Sequence, residues 1–136
     1  MIHDLFGGSL SHMQAALDVR SLRQEVLASN LANSDTPGFR AVDVDFEATM
    51  REMVERMDRA DAASAASTTP SRSLMDALTL RADDSTSIGN SQNSVDVDQQ
   101  LSHLEENALM FQVTAQIMAR RFQSLRNVIE EGGRGG

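Results

Sequence analysis

The segment VDQQLSHLEENALMFQVTAQIMARRFQSLRNVI, residues 97–129, carries the strongest periodic pattern in the chain. Its apolar residues recur at alternating intervals of four and three, which is the a and d spacing of a coiled coil. At about 1.5 Å per residue this helix is about 50 Å long, more than a compact domain of this size needs. We therefore expect an assembly seam that includes Leu101, Leu104, Phe111, Met118, Phe122, Leu125 and Ile129.

The ends of this C-terminal helix, predicted over residues 96–131, carry their own signals. Asp96 is a suitable N-cap residue with Gln99 three positions later, and a Gly-Gly pair follows the last apolar position. Acidic residues cluster early in the helix and arginines late, as the helix dipole favours. Residues 132–136 are expected to form a disordered tail.

A second helix is predicted over residues 1–34. Its apolar residues form two adjacent stripes, and a helix with two such stripes requires two packing neighbours. One stripe contains Leu10, Met13, Leu17, Leu27 and Leu31, and the other contains Ala15, Val19, Leu22 and Val26. The side chains expected to pack this helix are Leu10, Met13, Leu17, Leu22, Val26 and Leu27.

The N-terminal helix must end near the sequence Thr36-Pro37-Gly38. Pro37 cannot continue a helix, and it disfavours helical backbone at Thr36. Pro37 and Gly38 fit the two central positions of a type II turn, where glycine supplies positive φ at low cost. The turn redirects the chain into a short extended arm.

The arm, DVDFE, alternates acidic and apolar residues. Asp43, Asp45 and Glu47 should therefore share one face, which we expect to be solvated. A calcium site is the weaker alternative, because the stretch lacks the glycine and the later bidentate glutamate of a calcium-binding loop. A short amphipathic helix is predicted next, so that residues 35–58 comprise turn, arm and helix. Residues 59–95 are rich in Ser, Thr, Ala and Asp and are expected to be flexible or to fold on contact with a partner.

Composition excludes several classes of function. The net charge of -8 argues against nucleic acid as a primary partner, because phosphate contacts need clustered basic residues. The absence of cysteine excludes thiolate chemistry, and the three histidines are scattered. With no catalytic constellation in the sequence, we expect no enzyme activity, no catalytic or metal site and no cofactor. The N-terminus has no Sec signal pattern, and no apolar run reaches transmembrane length.

The stretch SNLANSDTPGFR, residues 29–40, resembles the motif near the N-terminus of the flagellar axial proteins, which include rod, hook and hook-associated proteins. The short chain and the direct continuation into DVDFE are most similar to the proximal rod proteins of that family. The motif falls on Asn30, Leu31, Ala32, Asn33, Thr36, Pro37, Gly38, Phe39 and Arg40.

The resemblance implies a mainly α fold. Its long N- and C-terminal helices would pair as an antiparallel, coiled-coil-like hairpin, with a short extended arm and a flexible middle segment. It also implies a structural subunit of the proximal rod that polymerises by helix packing into a tube, which transmits torque and carries exported axial proteins. The protein would reach the periplasmic rod of the basal body without a Sec signal.

The partners implied by the resemblance are other copies of the chain, the rod proteins FlgC and FlgF, the adaptor FliE that joins rod to MS ring, the MS ring itself and the flagellar export apparatus. Two alternatives stay open. A helical-hairpin adaptor in the cytoplasm would account for the helices alone, and a paralogous flagellar rod protein would share the motif.

Overall fold

The computed structural model describes residues 2–62, 70–83 and 95–133, with side chains described over 8–59, 74–83 and 95–133. The fold is mainly helical, as the sequence predicts. Two long helices dominate it, one near each end of the chain. The elements in chain order are α1 (Ile2–Ala32), β1 (Val42–Val44), α2 (Phe46–Ala62), α3 (Pro70–Ala77), β2 (Leu80–Ala82) and α4 (Val97–Gly132).

Helices α1 and α4 pack against each other in an antiparallel hairpin. The direction follows from two side-chain contacts that they share. Gln100 bonds to Asn30 near the end of α1, whereas Asn107, two turns later in α4, bonds to the carbonyl of Arg20. The residue number of the partner in α1 falls as the residue number in α4 rises, so the two helices run in opposite directions.

The apolar core lies on another side of α1, between that helix, the arm, α2 and α3. Its buried residues come from four elements of the chain, and half-buried side chains of α2 and α3 pack around them. One of the two predicted stripes of α1, through Ala15, Val19 and Val26, therefore faces this core. The buried core cluster consists of Ala15, Val19, Val44, Met53 and Ala77.

The arm forms a two-stranded antiparallel sheet in which Asp43 of β1 lies opposite Arg81 of β2. Outside the strands, the Asp45 N–H donates to the Thr79 carbonyl at 2.9 Å, which extends the pairing toward α2. The Asp45 carboxylate then accepts from the Ala48 N–H at 2.9 Å and caps the start of α2. The arm thus connects the turn after α1 directly to the next helix.

The structure differs from the sequence expectation within residues 59–95. Helix α2 continues to Ala62, and α3 and β2 occupy part of the segment expected to be flexible. The physical reason is tertiary packing, because Leu74, Ala77 and Leu78 pack against the core although the surrounding composition is polar. Gly132, which was expected in the disordered tail, is the last residue of α4. The rest of the prediction for residues 59–95, and residues 134–136 of the predicted tail, lie outside the described residues.

The caps of α4 match the sequence prediction. The Asp96 carboxylate accepts from the N–H groups of Asp98 and Gln99, and the residue has extended backbone. The helix ends at the Gly-Gly pair, where the Gly133 N–H donates to the Ile129 carbonyl. These bonds satisfy backbone groups that would otherwise have no partner at the helix ends.

Candidate assembly surface

The corner after α1 contains the predicted turn. The Phe39 N–H donates to the Thr36 carbonyl at 3.2 Å, and Gly38 has a φ of 74°. At the end of α1 the Asn33 side chain donates to the Ser29 carbonyl at 2.8 Å and accepts from the Thr36 hydroxyl at 3.2 Å. The turn is therefore held by its own backbone bond and by a side-chain bond from the last turn of the helix.

Asn30 joins three segments of the chain at this corner. Its side-chain amide donates to the Val42 carbonyl at 2.7 Å and accepts from the Val42 N–H at 3.2 Å, so it pairs with the arm as a neighbouring strand would. The same amide donates to the Gln100 side chain of α4 at 2.9 Å. The Gln100 side chain in turn donates to Asp83, just after β2, at 2.8 Å. The angle between helix and arm is thus set by buried, directional bonds.

An ion pair holds the arm against α1. Arg23 donates two hydrogen bonds to the Asp43 carboxylate, at 2.8 and 2.7 Å, and the two side chains are only 13% and 3% exposed. A bidentate pair of this kind fixes orientation as well as distance. Arg81 of β2 adds a longer contact of 3.5 Å to the same carboxylate.

The environment of Asp43 affects its protonation. Burial raises the pKa of the Asp43 carboxyl, but the hydrogen bonds and charge of Arg23, the Val44 N–H and the charge of Arg81 together hold the pKa below its ordinary value. The expectation of a solvated acidic face is therefore wrong at this residue. Asp45 caps α2, and Glu47 is exposed and pairs with Arg51. Among the described residues no group of three acidic, histidine or cysteine side chains is arranged to hold a metal ion.

The fully buried side chains of α4 are not members of the predicted seam. The buried side chains of α4 are Gln100 and Asn107, each one position before an apolar seam residue. Asn107 donates to the Arg20 carbonyl and to the Gln24 side chain, both at 2.8 Å. The hairpin contact therefore includes buried polar side chains. No apolar periodicity marks these residues, so the sequence pattern does not predict their burial.

None of the seven predicted seam side chains is fully buried. Leu104, Met118 and Leu125 are half-buried. The remaining four side chains are exposed, although each is large and apolar. Their exposed fractions are 44% for Leu101, 39% for Phe111, 49% for Phe122 and 73% for Ile129.

The other predicted site residues occupy varied positions. In the N-terminal helix Leu27 is buried, and the remaining five predicted packing residues are half-buried. In the motif Asn30 is buried and Asn33 and Phe39 are half-buried. The exposed members of the motif are Ala32, Thr36, Pro37, Gly38 and Arg40. The turn is therefore exposed to solvent, whereas Asn30, in the helix before it, is buried.

We expect Gly38→Val to destabilise the corner by about 1–3 kcal/mol, because a β-branched residue is disfavoured at positive φ. A side chain at this position would meet no atom within 4 Å, so strain rather than collision sets the cost. Gly38→Asn is the matched control, since asparagine tolerates this backbone. Urea unfolding of the three proteins measures the difference. Equal stability of the valine and asparagine variants would contradict the prediction.

Comparison with known proteins extends over almost the whole chain. A family model described as Flagella basal body rod protein matches residues 10–40. Flagellar basal body rod protein FlgB of Yersinia enterocolitica is 30% identical over 137 residues, which cover 95% of this chain and 98% of the relative. The protein of that name in Escherichia coli (strain K12) is 31% identical over 137 residues with the same coverage. The one in Bacillus subtilis (strain 168) is 28% identical over 131 residues, covering 94% and 98%.

Proposed function

Because the chain belongs to the FlgB family of flagellar basal body rod proteins, we propose that it forms the proximal part of the rod by packing its terminal helices against neighbouring subunits. The protein is a structural component of the flagellar basal body rod and not an enzyme. Within residues 2–62, 70–83 and 95–133, no helix combines the length and the apolar character needed to cross a membrane.

The exposed apolar side of α4 is the observation that carries the proposal. Among the described residues, most of the exposed large hydrophobic side chains belong to this one helix. Soluble monomers rarely expose large contiguous apolar patches, and such patches mark interaction sites. The half-buried members of the seam continue directly into the exposed ones, so a neighbouring helix can pack beside α1 on the same stripe. The packing residues on our proposal are Leu101, Leu104, Phe111, Met118, Phe122, Leu125 and Ile129.

The corner supports the same proposal. A subunit that transmits torque must keep the angle between its helices and its arm under load. The Asn30 bonds and the Arg23–Asp43 pair connect the long helices, the arm and the segment after β2 through buried polar contacts. We assign to this joint the role of holding the arm at a fixed angle in the tube.

The partners in this proposal are subunits whose terminal helices can contribute the missing apolar surface. They are other copies of the chain and the rod proteins FlgC and FlgF, with FliE and the MS ring at the base. The flagellar export apparatus would deliver the chain through the rod channel without a Sec signal. A repeated, non-closing contact of this kind generates a helical tube.

The proposal is tested by Phe122→Asp, with Gln123→Asp as the matched control. Both side chains are exposed in the monomer, so each substitution should change the free energy of unfolding by less than about 0.5 kcal/mol. In the rod, Phe122 would be buried, and a carboxylate without a partner there costs several kcal/mol. We expect Phe122→Asp to abolish incorporation into isolated basal bodies and Gln123→Asp to preserve it.

The readouts are immunoblots of purified basal bodies and motility of the strains. Equal incorporation of both variants would show that the seam is not the packing face. A chain that stays outside basal bodies, in a soluble complex of fixed stoichiometry, would favour the adaptor alternative.

A further inference from the structure

Helix α4 has a second exposed stripe on the side away from the predicted seam. Its apolar residues are Leu109, Val113 and Ile117, which are 59%, 43% and 46% exposed. At about 100° per residue, Val113 lies about 180° around the helix from Phe122 and about 120° from Asn107. This stripe is used neither by the hairpin contact with α1 nor by the proposed rod seam.

The stripe is chemically symmetric about Val113. Leu109 and Ile117 lie four residues before and after it. Glu106 and Arg120 lie seven residues before and after it, and both are exposed. One serine lies eleven residues away on each side. We call this surface the outer face and define it as Ser102, Glu106, Leu109, Val113, Ile117, Arg120 and Ser124.

We propose that the outer face binds the outer face of a second copy of this chain, with the two α4 helices antiparallel and related by a two-fold axis at Val113. A two-fold contact uses the same patch on both subunits, so residue i meets residue j and j meets i. Glu106 of each copy then lies beside Arg120 of the other. Leu109 of each copy packs next to Ile117 of the other, and the two Val113 side chains meet at the axis.

The charges at the two ends of the outer face favour a second copy of this chain as its partner. Neither Glu106 nor Arg120 forms a contact ion pair within the described part of the chain, and Glu106 acts on Arg20 and Arg23 of α1 only through its charge. A two-fold pairing gives each charge an opposite charge on the other copy, so the dimer contains two Glu106–Arg120 pairs. The two charges are about 21 Å apart along the helix, and they flank the apolar residues as a polar rim flanks the centre of an interface.

The pairing also has a consequence for assembly. Rod subunits repeat through a non-closing contact, whereas a two-fold contact closes on itself after two copies. The dimer is therefore a form of the protein outside the rod. This role rests on the proposed function, although the pairing itself does not. The dimer contact removes exposed apolar surface of α4 from water until the subunit is incorporated into the rod.

The first experiment uses the absence of cysteine from the chain. In Val113→Cys the two thiols of a dimer lie at the axis, within the range that a disulfide can bridge. Gln112→Cys is the control, because it is exposed on the same turn but points about 100° away. Under mild oxidation of dilute protein we expect Val113→Cys to give at least fivefold more covalent dimer than Gln112→Cys. Equal yields overturn the proposal. They are the result expected from a staggered parallel pairing, which places the two Val113 residues about 20 Å apart.

The second experiment reverses the charges. Sedimentation equilibrium should show that Glu106→Arg and Arg120→Glu each weaken self-association about tenfold or more, because each places two like-charge pairs in the contact. The double variant restores opposite charges and should return association to within about threefold of the original protein. Failure of this rescue, or no association of the original protein at any concentration, overturns the proposal.

Circular dichroism of each variant keeps these outcomes interpretable. All four positions are exposed, so the helical signal should match that of the original chain. The basal-body incorporation of Phe122→Asp tests the rod function independently. A failed dimer test therefore leaves the proposed function standing, and a failed incorporation test leaves the dimer standing.

Discussion

Arg23→Leu is expected to lower the free energy of unfolding by about 3–5 kcal/mol, because it leaves the Asp43 carboxylate buried without its main partner. The arginine supplies two of the three short bonds to that group, and the Val44 N–H supplies the third. Arg81 cannot replace it, since it is largely exposed and its nearest contact to Asp43 is 3.5 Å. Urea unfolding followed by circular dichroism measures the effect.

The matched control is Arg51→Leu. Arg51 also pairs with a carboxylate, Glu47, at 3.0 Å, but both side chains are largely exposed. Exposed pairs of this geometry contribute about 0.3–0.5 kcal/mol. If the two leucine variants were equally stable, burial of the Arg23–Asp43 pair would have no energetic consequence and the account of the corner would be wrong.

The same pair makes a prediction about pH. Because the folded-state pKa of Asp43 lies below its ordinary value of 3.8, its contribution to stability is fully present above that value. The contribution is lost as the pH falls through the lower, folded-state pKa. We expect the stability difference between the original chain and Arg23→Leu to be smaller at pH 2 than at pH 7. An undiminished difference at pH 2 would contradict this assignment.

Asn30→Ala is the second substitution with a large expected effect. It removes three hydrogen bonds and leaves the Gln100 side chain and the Val42 backbone groups without this partner inside the protein. Each buried polar group left unpaired costs about 1–3 kcal/mol, so we expect a total loss of about 3 kcal/mol or more. The loss should also loosen the arm, because Asn30 is its link to both long helices.

Asn33→Ala provides the comparison within the same motif. Its two side-chain bonds are exposed, and water can replace them. We expect it to cost no more than about 1 kcal/mol. Urea unfolding gives the energies, and amide hydrogen exchange at Val42 reports the arm directly. If the Val42 amide exchanged faster in Asn33→Ala than in Asn30→Ala, Asn30 would not be the residue that links the arm to the helices.

The sequence predicts the helices and the turn because their causes are local. Periodic apolar residues, the Asp96 cap and the Pro37-Gly38 pair each act within a few residues. The corner between α1 and the arm follows from them. The burial of Asp43 does not, because alternation separates the two faces of a strand without indicating what covers each one.

The contact between α1 and α4 shows a further limit of sequence reasoning. The apolar repeat of α4 indicates a packing face, and the hairpin instead buries Gln100 and Asn107 beside it. A shift of one position rotates the contact by about 100° around the helix. The sequence pattern is consistent with a seam that packs against more than one neighbouring helix. A periodic pattern marks the packing residues without indicating which neighbour each one contacts. α3 escaped prediction for a different reason, since only Leu74, Ala77 and Leu78 anchor it among polar residues.

The buried amides also restrict how the two long helices can align. A slip of α4 by one turn would bring Leu104 to the place of Gln100, where its side chain offers Asn30 no acceptor. Asn107 would lose the Gln24 side chain and the Arg20 carbonyl in the same step. Apolar seams tolerate sliding, because one leucine resembles the next, whereas each amide must find its own partner. A chain that folds anew at its destination therefore has a single alignment in which the N–H groups of all three side-chain amides donate to their own acceptors.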